Sequence, residues 1–109
     1  MIRVTVYRRA ADQTVKGLRV FGHAGYAEYG SDIICAAVSA LVTNLVNSLE
    51  AYTDEDLVIR SDEELGLMEF KFQHTPGHDA VLLFDGCILG LEAIEKENAD
   101  YIRLIFKEV

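Results

Sequence analysis

Apolar and polar positions alternate through Ile2-Arg3-Val4-Thr5-Val6-Tyr7, the two-residue period of a strand with one buried face. Leu18-Arg19-Val20-Phe21 repeats the signal after a polar connection containing Lys16 and Gly17, so the two segments predict a hairpin. From 32 to 52 the chain has neither Gly nor Pro. It sets Ile34, Val38, Leu41, Leu45, Leu49 and Tyr52 three or four residues apart, the spacing of a helix with a wide apolar face. Strand patterns return at 57–60 and 68–72, joined by the acidic turn from Ser61 through Glu63 and Glu64 to Gly66, and predict a second hairpin. Pro76-Gly77 breaks the chain. A second helix is expected over 79–98, with Val81, Phe84, Ile88, Leu91 and Ile94 at helical spacing; Gly86 and Gly90 lower its propensity and mark expected close packing. The last segment, 101–106, is expected to be a strand with a strongly apolar end.

The order ββαββαβ gives two helices that must bury wide apolar faces against five short strands, which predicts an α/β two-layer sandwich of the α+β kind. A length of 109 residues without linker or repeat predicts one small domain, 1–109. Half of the residues are hydrophobic and only one is proline, a composition that excludes disorder as the main theme. No leader pattern is visible and no apolar run is expected to approach a membrane span, so a cytoplasmic protein without a membrane partner is expected.

Charge narrows the partners. Ten Lys and Arg against eighteen Asp and Glu leave a formal charge of -8, which argues against generic nucleic-acid binding and for a basic partner. The balance is uneven: Met1 to Val20 hold Arg3, Arg8, Arg9, Lys16 and Arg19 against Asp12 alone. Two cysteines, Cys35 and Cys87, are too few for a disulfide scaffold and stay reduced in the cytoplasm, free for chemistry.

The stretch Gly22-His23-Ala24-Gly25 to Gly30-Ser31-Asp32-Ile33-Ile34-Cys35-Ala36-Ala37-Val38-Ser39 is the most informative. It sets His23 at the end of the second strand and Cys35 in the expected first turn of the long helix. Aligned peptide dipoles at a helix N-terminus favour a thiolate, and an adjacent imidazolium favours it further, so the pair has the makings of an activated nucleophile. Ser31 or Asp32 is the natural N-cap; Asp32 has the alternative task of orienting His23. Free first-turn N–H groups are candidates to hold a developing oxyanion. Ser39 follows Cys35 by one turn on the same face, where it can bond to the site or back to its own helix. Gly22, Gly25 and Gly30 predict an unusually folded connection, a candidate lid over 24–31.

This stretch, with Gly-His-Ala ahead of Gly-x-Asp-Ile-x-Cys-Ala-Ala-Val-Ser, resembles the signature of the ribosomal-processing cysteine protease family (Prp). The resemblance extends over nearly the full chain through the amino-terminal hairpin, the Ala-rich helix and the Tyr-Ile strand. It implies that His23 is general acid and base and Cys35 the nucleophile. It further implies removal of an N-terminal extension from a bacterial large-subunit ribosomal protein, an apolar slot beside Cys35, a homodimer, and neither metal nor cofactor. The alternative is a non-catalytic ribosome-assembly or peptide-binding module in which the acidic body docks basic tails and Cys35 only packs. A small thioesterase or acyl transferase would use the same dyad.

Other candidates carry less. Cys87 lies mid-helix between Phe84 and Leu91, a structural position. His74 and His78 have a spacing suited to metal only on a helix, and Thr75-Pro76-Gly77 would break it, so no metal is expected there.

Overall fold

A computed structural model describes residues 1–22 and 29–109, with side chains of the second stretch described from residue 33 onward. The alternating segments become β1 (Ile2–Arg8) and β2 (Val15–Phe21), paired antiparallel with Val4 opposite Val20 and Val6 opposite Leu18. The second hairpin is β3 (Leu57–Asp62) and β4 (Leu67–Phe72), with Ile59 opposite Phe70. Two helices, α1 (Tyr29–Tyr52) and α2 (His78–Glu97), and a final strand, β5 (Ile102–Glu108), complete the order ββαββαβ. The strands form one mixed sheet in the order β3-β4-β2-β1-β5. Only β5 runs parallel to its neighbour, pairing Ile102 with Ile2 and Leu104 with Val4.

Period two sorts the side chains. Val4, Val6, Leu18, Phe70, Ile102 and Leu104 turn toward the helices and are buried, while Arg3, Lys71 and Arg103 turn away and are exposed. The helices complete the core with Val38, Val42, Leu45 and Leu49 from α1 and Phe84, Ile88 and Leu91 from α2. Phe70 meets Phe72 and Phe84 edge-on, with ring centroids 5.7 and 6.1 Å apart. Each such fully buried side chain contributes roughly 1.5–3 kcal/mol of burial, so this cluster pins the β3–β4 hairpin to α2.

Four local expectations change. Lys16 and Gly17, read as connection, belong to β2, where Gly17 is pressed against the Phe70 carbonyl of β4 and leaves no room for a side chain. α1 begins at Tyr29, three residues before its expected start; Gly30 alone, worth about 1 kcal/mol of helix propensity, does not offset the packing of the apolar stripe that follows. The stretch Ile33–Tyr52, in which Glu50 is the one charged residue, makes α1 long and apolar enough, by length and composition, to cross a membrane, contrary to the expectation that no run approaches that length. Its periodic apolar residues are instead a core stripe against the sheet and α2. Of the two α2 glycines only Gly90 is a close contact, since a methyl there would meet Leu41 Cδ1 at 3.1 Å, whereas one at Gly86 would meet open space.

The turn after α2 closes without proline. Asn98 donates its side-chain N–H to the Ile94 carbonyl at 3.0 Å, and its own carbonyl accepts the Tyr101 N–H at 2.9 Å. The Glu95 carboxylate then accepts the Leu104 N–H of β5, tying the helix end to the strand.

Candidate active site

Cys35 is placed by its neighbours on α1. Ile34 and Val38 are buried in the core, and the helical turn between them leaves Cys35 on the flank of that stripe, half-buried and packed against the core at one edge. Opposite this flank, β2 ends at Phe21 and Gly22 follows with φ of 101°, a conformation open to glycine. A methyl at Gly22 would lie 2.7 Å from the Met1 carbonyl oxygen. Its N–H donates to the Gly66 carbonyl at 3.2 Å, which fastens the end of β2 to the β3–β4 turn. In that turn Asp62 Oδ1 accepts the Leu65 N–H at 3.2 Å.

These pieces enclose a cleft of about 340 Å³. Cys35, Val38 and Ser39 of α1 form one wall, Ile2, Val20 and Met68 an apolar floor, and Gly22 with Ser61, Asp62 and Glu63 the opposite side. The cleft therefore offers a thiol, an apolar surface for a side chain and an acidic rim. Sequence reasoning left its lining unassigned. The acidic turn was legible only as a turn, because its place beside Cys35 follows from the pairing of β4 with β2, which periodicity does not reveal.

The other site expectations divide. Gly22 and Ser39 are brought to the cleft with Cys35. His23 and Gly25 lie outside the described residues, as does most of the expected lid over 24–31; Gly22, immediately ahead of His23 in the chain, lines the cleft. Because α1 starts at Tyr29, Gly30, Ser31 and Asp32 fall within the helix and neither Ser31 nor Asp32 is its N-cap. Cys35 is correspondingly the seventh helical residue, beyond the four whose N–H groups lack an acceptor within the helix. The expected first-turn flank of Cys35 by free N–H groups is corrected accordingly.

Cys87 is buried between the helices, where its Sγ–H donates to the Leu41 carbonyl at 3.7 Å and burial pushes its thiol up to about 11. His74 Nε2 lies 3.6 Å from Asp56, and His78 Nδ1 lies 3.1 Å from Asp79 at the start of α2. Among the described residues no three His, Cys, Asp or Glu side chains gather as a metal site.

A two-layer α/β domain with a thiol on its long helix, set in a peptide-sized cleft at one end of the sheet, defines a class of small cysteine hydrolase. The profile of the family described as Cysteine protease Prp matches residues 1–103, and the chain belongs to that family. It is 32% identical over 108 residues to the ribosomal processing cysteine protease Prp of Bacillus subtilis (strain 168), covering 95% of this chain and 96% of the relative. Its fold matches the crystal structure of an essential ribosomal processing protease Prp from S. aureus in complex with a substrate peptide. That match has a TM-score of 0.90 and 31% identity over 98% of this chain and 100% of the other. A second S. aureus Prp structure, with a covalently linked product peptide, matches with a TM-score of 0.87 and 32% identity over 98% and 100% of the two chains.

Proposed function

We propose that this chain removes a short N-terminal extension from a large-subunit ribosomal protein, with Cys35 as nucleophile and His23 as proton carrier, and that it works in the cytoplasm as a homodimer. The observation that carries the reading is the cleft itself, where the half-buried Cys35 thiol faces an apolar floor and Gly22, the residue ahead of His23, lines the same space.

The chemistry follows from these groups. The Cys35 thiolate attacks the scissile carbonyl carbon and His23 gives its proton to the departing amine, so a C–S bond replaces the C–N bond. Water then attacks the thioester, His23 takes its proton, and the S–C bond breaks to release the carboxylate and restore the thiol. A covalently linked product peptide, as described for the S. aureus relative, is the species such covalent catalysis leaves behind. The floor of Ile2, Val20 and Met68 suits an apolar side chain beside the cut, and Asp62 and Glu63 at the rim suit a basic flanking sequence.

The test is the mass of a candidate ribosomal protein before and after incubation with the chain. Loss of a defined amino-terminal peptide with the native protein, and none with Cys35→Ala, is the expected result. Cleavage that survives Cys35→Ala overturns the nucleophile, and intact substrate with the native protein overturns the proteolytic reading in favour of a binding module.

A further inference from the structure

The sheet face turned away from the helices has the opposite charge to the chain as a whole. Cross-strand register sets Arg103, Arg3 and Phe21 in one row, and Lys107, Tyr7 and Lys71 in the row four residues along. Between them Arg19 lies opposite Glu69, and Glu69 opposite Arg60. Six of the ten Lys and Arg thus share this one face with two carboxylates, Glu69 beside Arg19 and Asp62 at the end of β3. Acidic residues instead collect around the cleft and on the helices, so the net charge of -8 conceals a strongly basic surface.

Folding does not ask for this arrangement. Arg3 and Arg103 are direct partners on adjacent strands, a like-charge pairing that destabilises a sheet. Among the described residues Arg3, Arg60, Arg103 and Lys107 have no ion pair. Arg19 Nε lies 3.8 Å from Glu69 but, although buried, has no hydrogen-bond partner. Aromatic rings are interleaved with the cations: Arg19 sits 5.1 Å over Phe21, and Lys71 Nζ 5.7 Å over Tyr7.

From this juxtaposition we infer that the open sheet face is a docking surface for single-stranded RNA, with Arg3, Arg103, Lys107 and Arg60 meeting phosphates and Tyr7 and Phe21 meeting bases. A polyanion neutralises cations that the fold leaves uncompensated, and rings set among cations on a flat sheet match bases splayed from a single strand. An acidic peptide would answer the charge but not the rings. Two copies stacked on this face would bring like charges together. The cleft lies at one end of the sheet on the α1 side, with its floor on the helix-facing residues Ile2, Val20 and Met68, so RNA on the opposite face leaves Cys35 accessible. Bringing the enzyme to a substrate already bound to RNA would be the use of such a surface, and that use rests on the function proposed above; the binding does not.

Fluorescence anisotropy of a labelled single-stranded RNA with the full-length native chain tests the inference, with polyglutamate as the competing polyanion. Binding should weaken steeply with salt, and Arg3→Glu/Arg103→Glu should lower affinity by about tenfold or more and flatten the salt dependence. Arg3→Lys/Arg103→Lys should keep most of the affinity, and cleavage of a free peptide should be unchanged in both variants. Lys107→Glu, at the exposed end of β5, provides a second charge reversal should the double one fail to fold. No RNA binding at low salt, or affinity indifferent to these charges, overturns the proposal. Equal competition by polyglutamate would assign the face to an acidic protein and overturn it too, as would sedimentation showing that the charge reversals split a dimer.

Discussion

Cys35 and Cys87 belong to the same helical layer, yet their surroundings give one thiol access to a peptide and withhold it from the other. Cys35 flanks the buried stripe of α1 and opens on a cleft with an apolar floor and an acidic rim. Cys87 is 8% exposed, hydrogen-bonds to the Leu41 carbonyl, and is kept protonated by burial. A second groove, of about 250 Å³, does lie beside Cys87, but Leu41, Asn44, Ser48 and Leu82 around it supply no acid or base. A cavity and a thiol are therefore insufficient for nucleophilic catalysis; the thiol must also be exposed on the side where a proton carrier can reach it.

The sharpest way to break this comparison is to remove each sulfur in turn. Cys35→Ala should lower peptide cleavage by about 10⁴-fold or more without unfolding the chain, whereas Cys87→Ala should cleave at a nearly native rate. Loss of turnover in a folded Cys87→Ala protein would mean that the buried thiol had been misjudged.

His23→Ala should come next, reducing turnover by about 10²–10⁴-fold. It should also move the alkylation of Cys35 by a small reagent toward higher pH, because an imidazolium that favours the thiolate is gone. Identical alkylation profiles in the native and His23→Ala proteins would remove His23 from the site.

What could be read ahead of the structure follows from how local each signal is. Alternation in Ile2-Arg3-Val4-Thr5 and the three-four spacing of Ile34, Val38 and Leu45 report burial along one element, and both hairpins and both helices were legible that way. The order β3-β4-β2-β1-β5 was not, because period says which face of a strand is buried and nothing about which strand lies beside it. The same gap hid the cleft lining, since Met68 and Asp62 reach Cys35 only through the pairing of β4 with β2. It also hid the basic face, where Arg103 of β5 joins Arg3 and Arg19 of the first hairpin only through the parallel pairing of β5 with β1. The signature around Cys35 was legible in residue types. The helix start was misplaced because an N-cap was assigned to Ser31 or Asp32 on side-chain preference, whereas the helical backbone already begins at Tyr29.

Gly22 holds the cleft wall, and its substitution is the next largest effect. Gly22→Ala must adopt φ near 101° with its methyl 2.7 Å from the Met1 carbonyl. A cost of about 1–3 kcal/mol is expected, read as a fall in Tm of roughly 4–8 °C per kcal/mol. Gly86→Ala, with open space around its added methyl and a helical backbone, should instead hold or raise Tm. Equal losses at both positions would show that the cleft wall is no more constrained than the helix surface.

Alkaline pH sharpens the contrast from the side of Cys87. Its thiol titrates near 9 when unfolded and is pushed up to about 11 by burial. The stability contributed by the neutral buried thiol is present below pH 9 and is lost as pH rises toward 11, since over that window the unfolded chain releases the proton first. The loss should be on the order of 2 kcal/mol. Denaturant unfolding of the native and Cys87→Ala proteins between these pH values isolates it, and parallel pH profiles would show that burial does not hold the proton.

The smallest effect separates the acidic rim of the Cys35 cleft from the uncharged groove beside Cys87. Glu63 is exposed at the rim, so its attraction for a basic residue of a bound peptide is screened by water and salt. Such an exposed pair is worth about 0.2–1 kcal/mol, which sets a rise in KM of at most about fivefold for Glu63→Gln. The effect should appear in KM and leave kcat nearly unchanged, because the rim holds ground and transition states alike. It should also vanish at high ionic strength and with a peptide whose basic residues are replaced by Gln. Asp62 is a poorer choice for this test, since its carboxylate accepts the Leu65 N–H and its removal would disturb the turn as well as the charge. A KM that ignores both Glu63→Gln and salt would leave the rim as a solubility feature, with peptide recognition resting on the apolar floor of Ile2, Val20 and Met68.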